Sequence, residues 1–261
     1  MARDSTGYTV GFAALVCIIC GIGVAGAAVA LKPRQDENKI LDQQKQVLYV
    51  AGLLKPDQET SPAEIKALFE KNIRPEVIDL KTGTPAKGVE AKGFDQQRAA
   101  KDPATSAAAP ENAAKVFRLP NNALVYHVLK DGKTDMLILP IQGYGLWSVM
   151  YGYLALDDDA TTVEGITFYA HAETPGLGGE IDNPKWKAGW EGRKIYDDKG
   201  KVALSVIKGQ AGPPQAAPHR VDGLSGATIT SNGVTNTIQF WFGTNGFGPY
   251  LKHFLKSQGR S

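Results

Sequence analysis

Hydrophobic positions fall into two regimes along the chain. An unbroken apolar run near the start is followed by a long region where apolar and polar residues alternate at short period. From Thr9 to Leu31 there is no charged residue. A bilayer core about 30 Å thick needs roughly 20 apolar residues in a helix. The run therefore predicts a short tail over 1–8, a transmembrane helix over 9–31 and a soluble domain over 32–261. Gly21, Gly23, Gly26, Ala27 and Ala28 would let another helix approach closely. A cleavable signal peptide is the alternative, since Ala28-Val29-Ala30 has small-x-small form. The run exceeds the usual apolar region of about 7–15 residues, and Arg3 in the leading tail is offset by Asp4. Both points favour a retained anchor.

Past the membrane, Ile40, Leu41, Gln44, Val47 and Leu48 recur at helical spacing, so a helix is expected over about 35–50. Ser61-Pro62-Ala63-Glu64 forms a capping box with proline at the first helical position and predicts a helix over 61–71. Val77, Ile78 and Leu80 read as a strand. Residues 99–114 are rich in Ala and Pro and read as a surface loop. Strand-like runs then follow at 115–119, 123–129, 135–141, 146–156, 165–172 and 201–207. Turn signals at 131–133, 157–159 and 198–200 separate them. The fold class is α+β: one N-terminal transmembrane helix, then a mixed, mainly antiparallel β-sheet domain with flanking helices.

Composition narrows the functions. Hydrophobic residues make up 43% and charged residues 21%, as in a folded protein. A net charge of +2 gives no electrostatic reason to expect nucleic acid as a partner. The four histidines lack metal-ligand spacing, and Asp157–Asp159 is read as a solvated turn in preference to a calcium site, so no metal is expected. Cys17 and Cys20 lie inside the apolar run. Their C-x-x-C spacing is read as membrane packing, with redox or zinc chemistry the alternative. Arg3 on one flank, against Lys32, Arg34 and Lys39 on the other, would put the second flank in the cytoplasm. Long domains, however, translocate largely regardless of charge.

Three stretches carry candidate chemistry. In Asp222-Gly223-Leu224-Ser225-Gly226-Ala227-Thr228, small residues crowd around one threonine. Val234, Thr237, Ile238, Trp241 and Phe242 then share a helical face. The motif thus sits at a helix N-terminus, where free N–H groups favour a phosphate; an ordinary Ser/Thr cap is the alternative. In Glu173-Thr174-Pro175-Gly176-Leu177-Gly178, proline and glycine force a turn, and missing Cβ atoms let a flat group approach backbone. Glu173 could accept a hydrogen bond from such a ligand. Taken alone, the stretch is a glycine-rich loop. Trp147, in Gly145-Leu146-Trp147-Ser148, could wall an aromatic ligand or belong to the core.

Taken together and in this order, D-G-x-S-G-A-T at 222–228, E-T-P-G-L-G at 173–178 and G-L-W-S at 145–148 resemble the FMN-binding domain family. The anchor, the length and N-G-x-G-P-Y-L at 245–251 resemble its members in sodium-pumping NADH:quinone oxidoreductases. The resemblance implies FMN bound covalently, through a phosphodiester, to Thr228. A flavin transferase would install it, reading an element that includes Asp222. Ser225, Gly226 and Ala227 would shape the phosphate site. Glu173, Thr174, Leu177 and Gly178 would border the isoalloxazine, with Leu146 and Trp147 as further walls, and the FMN-binding part would span about 115–261. The resemblance also implies a single-pass protein of the bacterial inner membrane with its domain on the periplasmic side, against the charge count. Other subunits of the complex would be its partners. Flavin passes electrons singly, and the protein holds and places it. No catalytic residue is expected, and without a G-x-G-x-x-G after a strand no stand-alone NADH oxidation is expected either. The alternatives are the corresponding member of a ferredoxin:NAD oxidoreductase complex, a free-standing anchored flavoreductase, and a non-redox anchored binding module.

Overall fold

The computed structural model describes residues 5–55 and 58–260. The chain divides into two compact units, the second beginning at Lys45. Helix α1 (Thr6–Val50) runs through the expected anchor and the expected helix beyond it without a break. It takes in residues 6–8, which the sequence assigns to the tail; residues 1–4 lie outside the described part. Pro33 inside α1 removes one i to i−4 hydrogen bond. Every side chain from Ser5 to Ile40 is exposed. The apolar part is long enough to cross a membrane.

In the second unit, α2 (Pro62–Asn72) starts as its sequence predicts. The Ser61 hydroxyl accepts from Glu64 N at 3.3 Å, and the Glu64 carboxylate accepts from Ser61 N at 2.8 Å. Next come β1 (Ile73–Asp79), α3 (Gln96–Lys101), β2 (Ser106–Ala108), β3 (Arg118–Pro120), β4 (Asn122–Lys130), β5 (Lys133–Tyr144), β6 (Val149–Asp157) and β7 (Val163–Ala170). A 3-10 turn, η1 (Gly178–Asp182), leads into α4 (Pro184–Ala188). The chain closes with β8 (Ser205–Val206), β9 (Arg220–Val221), α5 (Thr228–Trp241) and α6 (Gly248–Ser257). The main sheet has the order β1-β4-β5-β6-β7 and is antiparallel throughout. Among the described residues parallel pairing is confined to β8 and β9.

Strand alternation builds two apolar layers. Val125, Leu137, Leu139, Ile141, Met150 and Leu154 join Val234, Ile238 and Trp241 of α5 and Leu251 and Phe254 of α6 in one core cluster. On the other face Tyr126 meets Phe69 of α2 edge-on, with ring centroids 6.0 Å apart. A Cβ on Gly165 of β7 would lie 3.0 Å from the Val50 carbonyl, so β7 and the end of α1 approach closely.

Several sequence expectations change. The strand read at Val77, Ile78 and Leu80 spans Ile73–Asp79 and leaves Leu80 outside, and the run at 165–172 ends as strand at Ala170. Residues 99–114 contain the end of α3 and all of β2. Asp95 caps α3 by accepting from Arg98 N, and β2 pairs with β3. The run at 115–119 becomes strand only at Arg118: Lys115 is left-handed (φ 54°), and the Asn112 side chain bonds both N–H and C=O of Val116. The run at 146–156 becomes strand only at Val149, because the amides of Leu146 and Trp147 go to a carboxylate instead of a ladder. In 201–207 only Ser205–Val206 is strand. Before it, Asp197 Oδ1 accepts from Lys199 N and Lys201 N and forms a turn.

Candidate functional site

Helix α5 is seated against the end of β5. A Cβ on Gly143 would run into the Thr237 side chain, and one on Gly233 would lie 3.1 Å from Gly145 Cα. Trp241 Nε1 donates to Gln142 O at 2.6 Å. This close seating brings the first turn of α5 beside the segment that leaves β5.

Thr228 opens α5 and is exposed. The preceding Ala227 supplies no side-chain cap, so the N–H groups of the first turn are not taken by a capping side chain. Ser225 and Gly226 are exposed as well. Gly226 is left-handed (φ 70°), and a Cβ there would come within 3.0 Å of Leu177 Cδ2. Leu177 thus lies against the threonine loop. Behind the loop, Leu224 N donates to Ser231 Oγ at 3.2 Å.

Asp222 is exposed, and its carboxylate accepts from Ala211 N at 2.6 Å while its carbonyl accepts from Trp186 Nε1 at 2.8 Å. Its side chain is therefore engaged with the 209–212 loop. It stays on the surface, in the same short segment.

Glu173 joins the other two motifs. Its Oε1 accepts from Leu146 N at 3.1 Å and Trp147 N at 3.0 Å. Its Oε2 accepts from Thr230 Oγ1 at 2.5 Å. Burial pushes this carboxyl up, but the Thr230 hydroxyl and the amides of Trp147, Leu146 and Ser148 outweigh burial and hold it below the usual range. Two further bonds tie the segments: Trp147 Nε1 donates to Thr174 Oγ1 at 3.1 Å, and Ala172 N to Ser148 Oγ at 2.8 Å. Gly176 is left-handed (φ 76°) where the loop turns back, and Gly179 N closes onto Thr174 O at 2.9 Å.

Exposure is concentrated where the motifs meet. Leu146 is 46% exposed, Trp147 65%, Leu177 45% and Ile229 56%. Large apolar side chains are left uncovered at four positions on the segments that meet at the start of α5. Grouped apolar exposure of this kind marks a binding or docking surface. The residues present fit a flavin mononucleotide: a flat apolar wall for the ring, and an exposed hydroxyl with uncapped amides for the phosphate. Sequence reasoning missed Ile229, Thr230 and Ser148. The available signal was position, since Ile229 interrupts the polar face of α5 and Thr230 falls on its buried flank. Among the described residues no group of His, Cys, Asp or Glu is arranged to hold a metal ion.

Residues 145–243 match a family model described as "FMN-binding domain". Over 259 residues the chain is 50% identical to the NqrC protein of the Na(+)-translocating NADH-quinone reductase from Pseudomonas aeruginosa, covering 98% of each chain. The NqrC protein from Yersinia pestis is 46% identical, with 96% of this chain and 93% of that one covered. Among solved structures, Shewanella oneidensis NqrC is similar with a TM-score of 0.76 and 36% identity, over 84% of this chain and 99% of that chain.

Proposed function

The chain belongs to the NqrC family of the Na(+)-translocating NADH-quinone reductase, and on that premise we propose that it holds FMN covalently, by a phosphodiester to Thr228. The membership makes the chain an FMN-carrying electron-transfer component of an oxidoreductase complex with other subunits. Its apolar N-terminal helix fits a single-pass membrane anchor. When bound, FMN supplies reversible acceptance and release of electrons.

The observation that carries the attachment site is the placement of Thr228. This residue is exposed at the start of an uncapped helix, where the segments carrying four exposed apolar side chains meet. The first-turn amides of α5 would hold the phosphate oxygens. Ser225, Gly226 and Ala227 keep the approach to the hydroxyl free of bulk. Leu146, Trp147, Thr174 and Leu177 would border the ring, with Gly178 and Glu173 forming the backing of that wall. Asp222, exposed in the same segment, would be read by the flavin transferase that installs the group. The soluble unit would stand on the periplasmic side of the inner membrane, where that transferase works.

Mass analysis of the denatured chain from its native complex tests the attachment. The peptide containing Thr228 should carry one FMN, and a Thr228→Ala chain should carry none. Flavin lost on denaturation from the wild-type chain would sink the covalent assignment.

A further inference from the structure

The proposed flavin wall and the threonine-bearing helix meet through a buried carboxylate. Leu146 N and Trp147 N reach Glu173 at 3.0–3.1 Å, and the Thr230 hydroxyl reaches it at 2.5 Å. Glu173 is 5% exposed. A Cβ on Gly145 would lie 2.5 Å from Oε1, and one on Gly178 would lie 2.7 Å from Oε2. Both oxygens are thus enclosed by backbone and already accept hydrogen bonds. Thr230 follows Thr228 by two residues, roughly 200° around the helix. The buried flank of the first turn is gripped while the flank bearing the Thr228 hydroxyl faces outward.

We propose that Glu173 is a positioning residue: it does not touch the flavin but fixes the 146–147 wall relative to Thr228 by holding both at one carboxylate. This rests on the reading of Thr228 as the attachment site. The backbone of Glu173 is fixed in turn. Its N–H donates to His171 Nδ1 at 3.1 Å, and His171 Nε2 lies 2.7 Å from Asp182 Oδ2, at the end of η1. One connected set of bonds therefore spans the loop after β5, the turn after β7, η1 and the start of α5. A carboxylate suits this place because every donor aimed at it needs an acceptor and neither oxygen must donate. A glutamine would offer one acceptor oxygen and turn an N–H₂ toward donors. Charge-assisted bonds are also roughly twice as strong as neutral ones.

Full-length chains in the native complex, wild type, Glu173→Gln and Thr230→Val, provide the test. In Glu173→Gln the amides of Leu146 and Trp147 should exchange with deuterium about tenfold faster or more, the change expected for losing roughly 1.4 kcal/mol of local protection. In Thr230→Val those amides should keep their protection while the first turn of α5 exchanges faster. Both variants should retain one FMN on the Thr228 peptide and change the visible circular dichroism of the flavin. A folded Glu173→Gln chain with unaltered exchange at 146–147 and an unaltered flavin spectrum would overturn the proposal. A lowered melting temperature with both readouts unmoved would do the same, since it would mean a stabilising role only. Should Glu173→Gln not fold, Thr230→Val decides alone: an unchanged flavin spectrum overturns the proposal and a changed one supports it. Absence of FMN from the wild-type peptide would instead defeat the attachment site, and the tie would then stand or fall on amide exchange.

Discussion

At the scale of single residues, Glu173 carries a pH dependence whose sign can be worked out. The Thr230 hydroxyl and the Leu146 and Trp147 amides hold its carboxyl below the usual value despite burial. A carboxyl lowered in the folded state adds stability that is complete above its unfolded value. That stability is lost as pH falls through the folded value. Melting temperatures taken between about pH 6 and pH 3 should therefore fall more steeply for the wild type than for Glu173→Gln. Parallel curves would refute the assignment. Glu76, lowered chiefly by its hydrogen bond to His127 at 3.0 Å, has the same sign but is present in both chains and cancels in the difference. Glycines give a second residue-scale prediction. Gly176 is left-handed with open space beside it, whereas Gly178 would press a Cβ to 2.5 Å from Thr230 Oγ1. Gly176→Ala should cost about 1–2 kcal/mol of backbone strain. Gly178→Ala should cost about 1–3 kcal/mol from crowding and also disturb the Glu173 bonds. Denaturant unfolding should show the larger change in midpoint for Gly178→Ala. Equal changes would mean that the carboxylate pocket is less rigid than its distances say.

At the scale of elements, what the sequence disclosed was what is decided locally. The capping box at Ser61 is made by neighbours three residues apart, so four letters reveal it. Ser61→Ala should cost about 1 kcal/mol, read from the shift in unfolding midpoint. The strands of the main sheet were legible from alternation, and α5 from one apolar face. The start of β6 was not. Leu146 and Trp147 look like strand residues, yet their amides belong to a carboxylate 26–27 residues away along the chain. The 99–114 stretch hid β2 because its pairing with β3 depends on contacts across 12 residues, such as Arg118 Nε donating to Ser106 Oγ at 2.8 Å. The motif letters at 173–178 and 222–228 pointed to the candidate site. They did not say that Glu173 faces inward to Thr230, since which way a side chain turns is set by tertiary packing. The Asp222 carboxylate likewise spends itself on Ala211 N, a partner that no spacing in the motif announces.

At the scale of the whole molecule, the site lies open. Trp147 and Ile229 are more than half exposed, and Thr228 stands on the surface. An electron carrier gains from this, because donor and acceptor must come close to the ring. The same openness leaves little enclosing surface to retain a dissociable cofactor, and the covalent link proposed at Thr228 would remove that difficulty without closing the site. The G-x-G-x-x-G at 21–26 lies inside α1, and among the described residues no such glycine-rich loop joins a strand to a helix. Flavin on the isolated full-length chain in detergent should therefore be reduced readily by a small chemical reductant such as dithionite. NADH alone should reduce it negligibly, and in the assembled complex NADH should reduce it through the neighbouring subunits. Stopped-flow absorbance of the flavin band separates these steps. Fast reduction of the isolated chain by NADH would show that it binds a nicotinamide itself, contrary to its role as a relay. Resistance to dithionite would show that the ring is sealed, and an open site would then give no reason for covalent attachment.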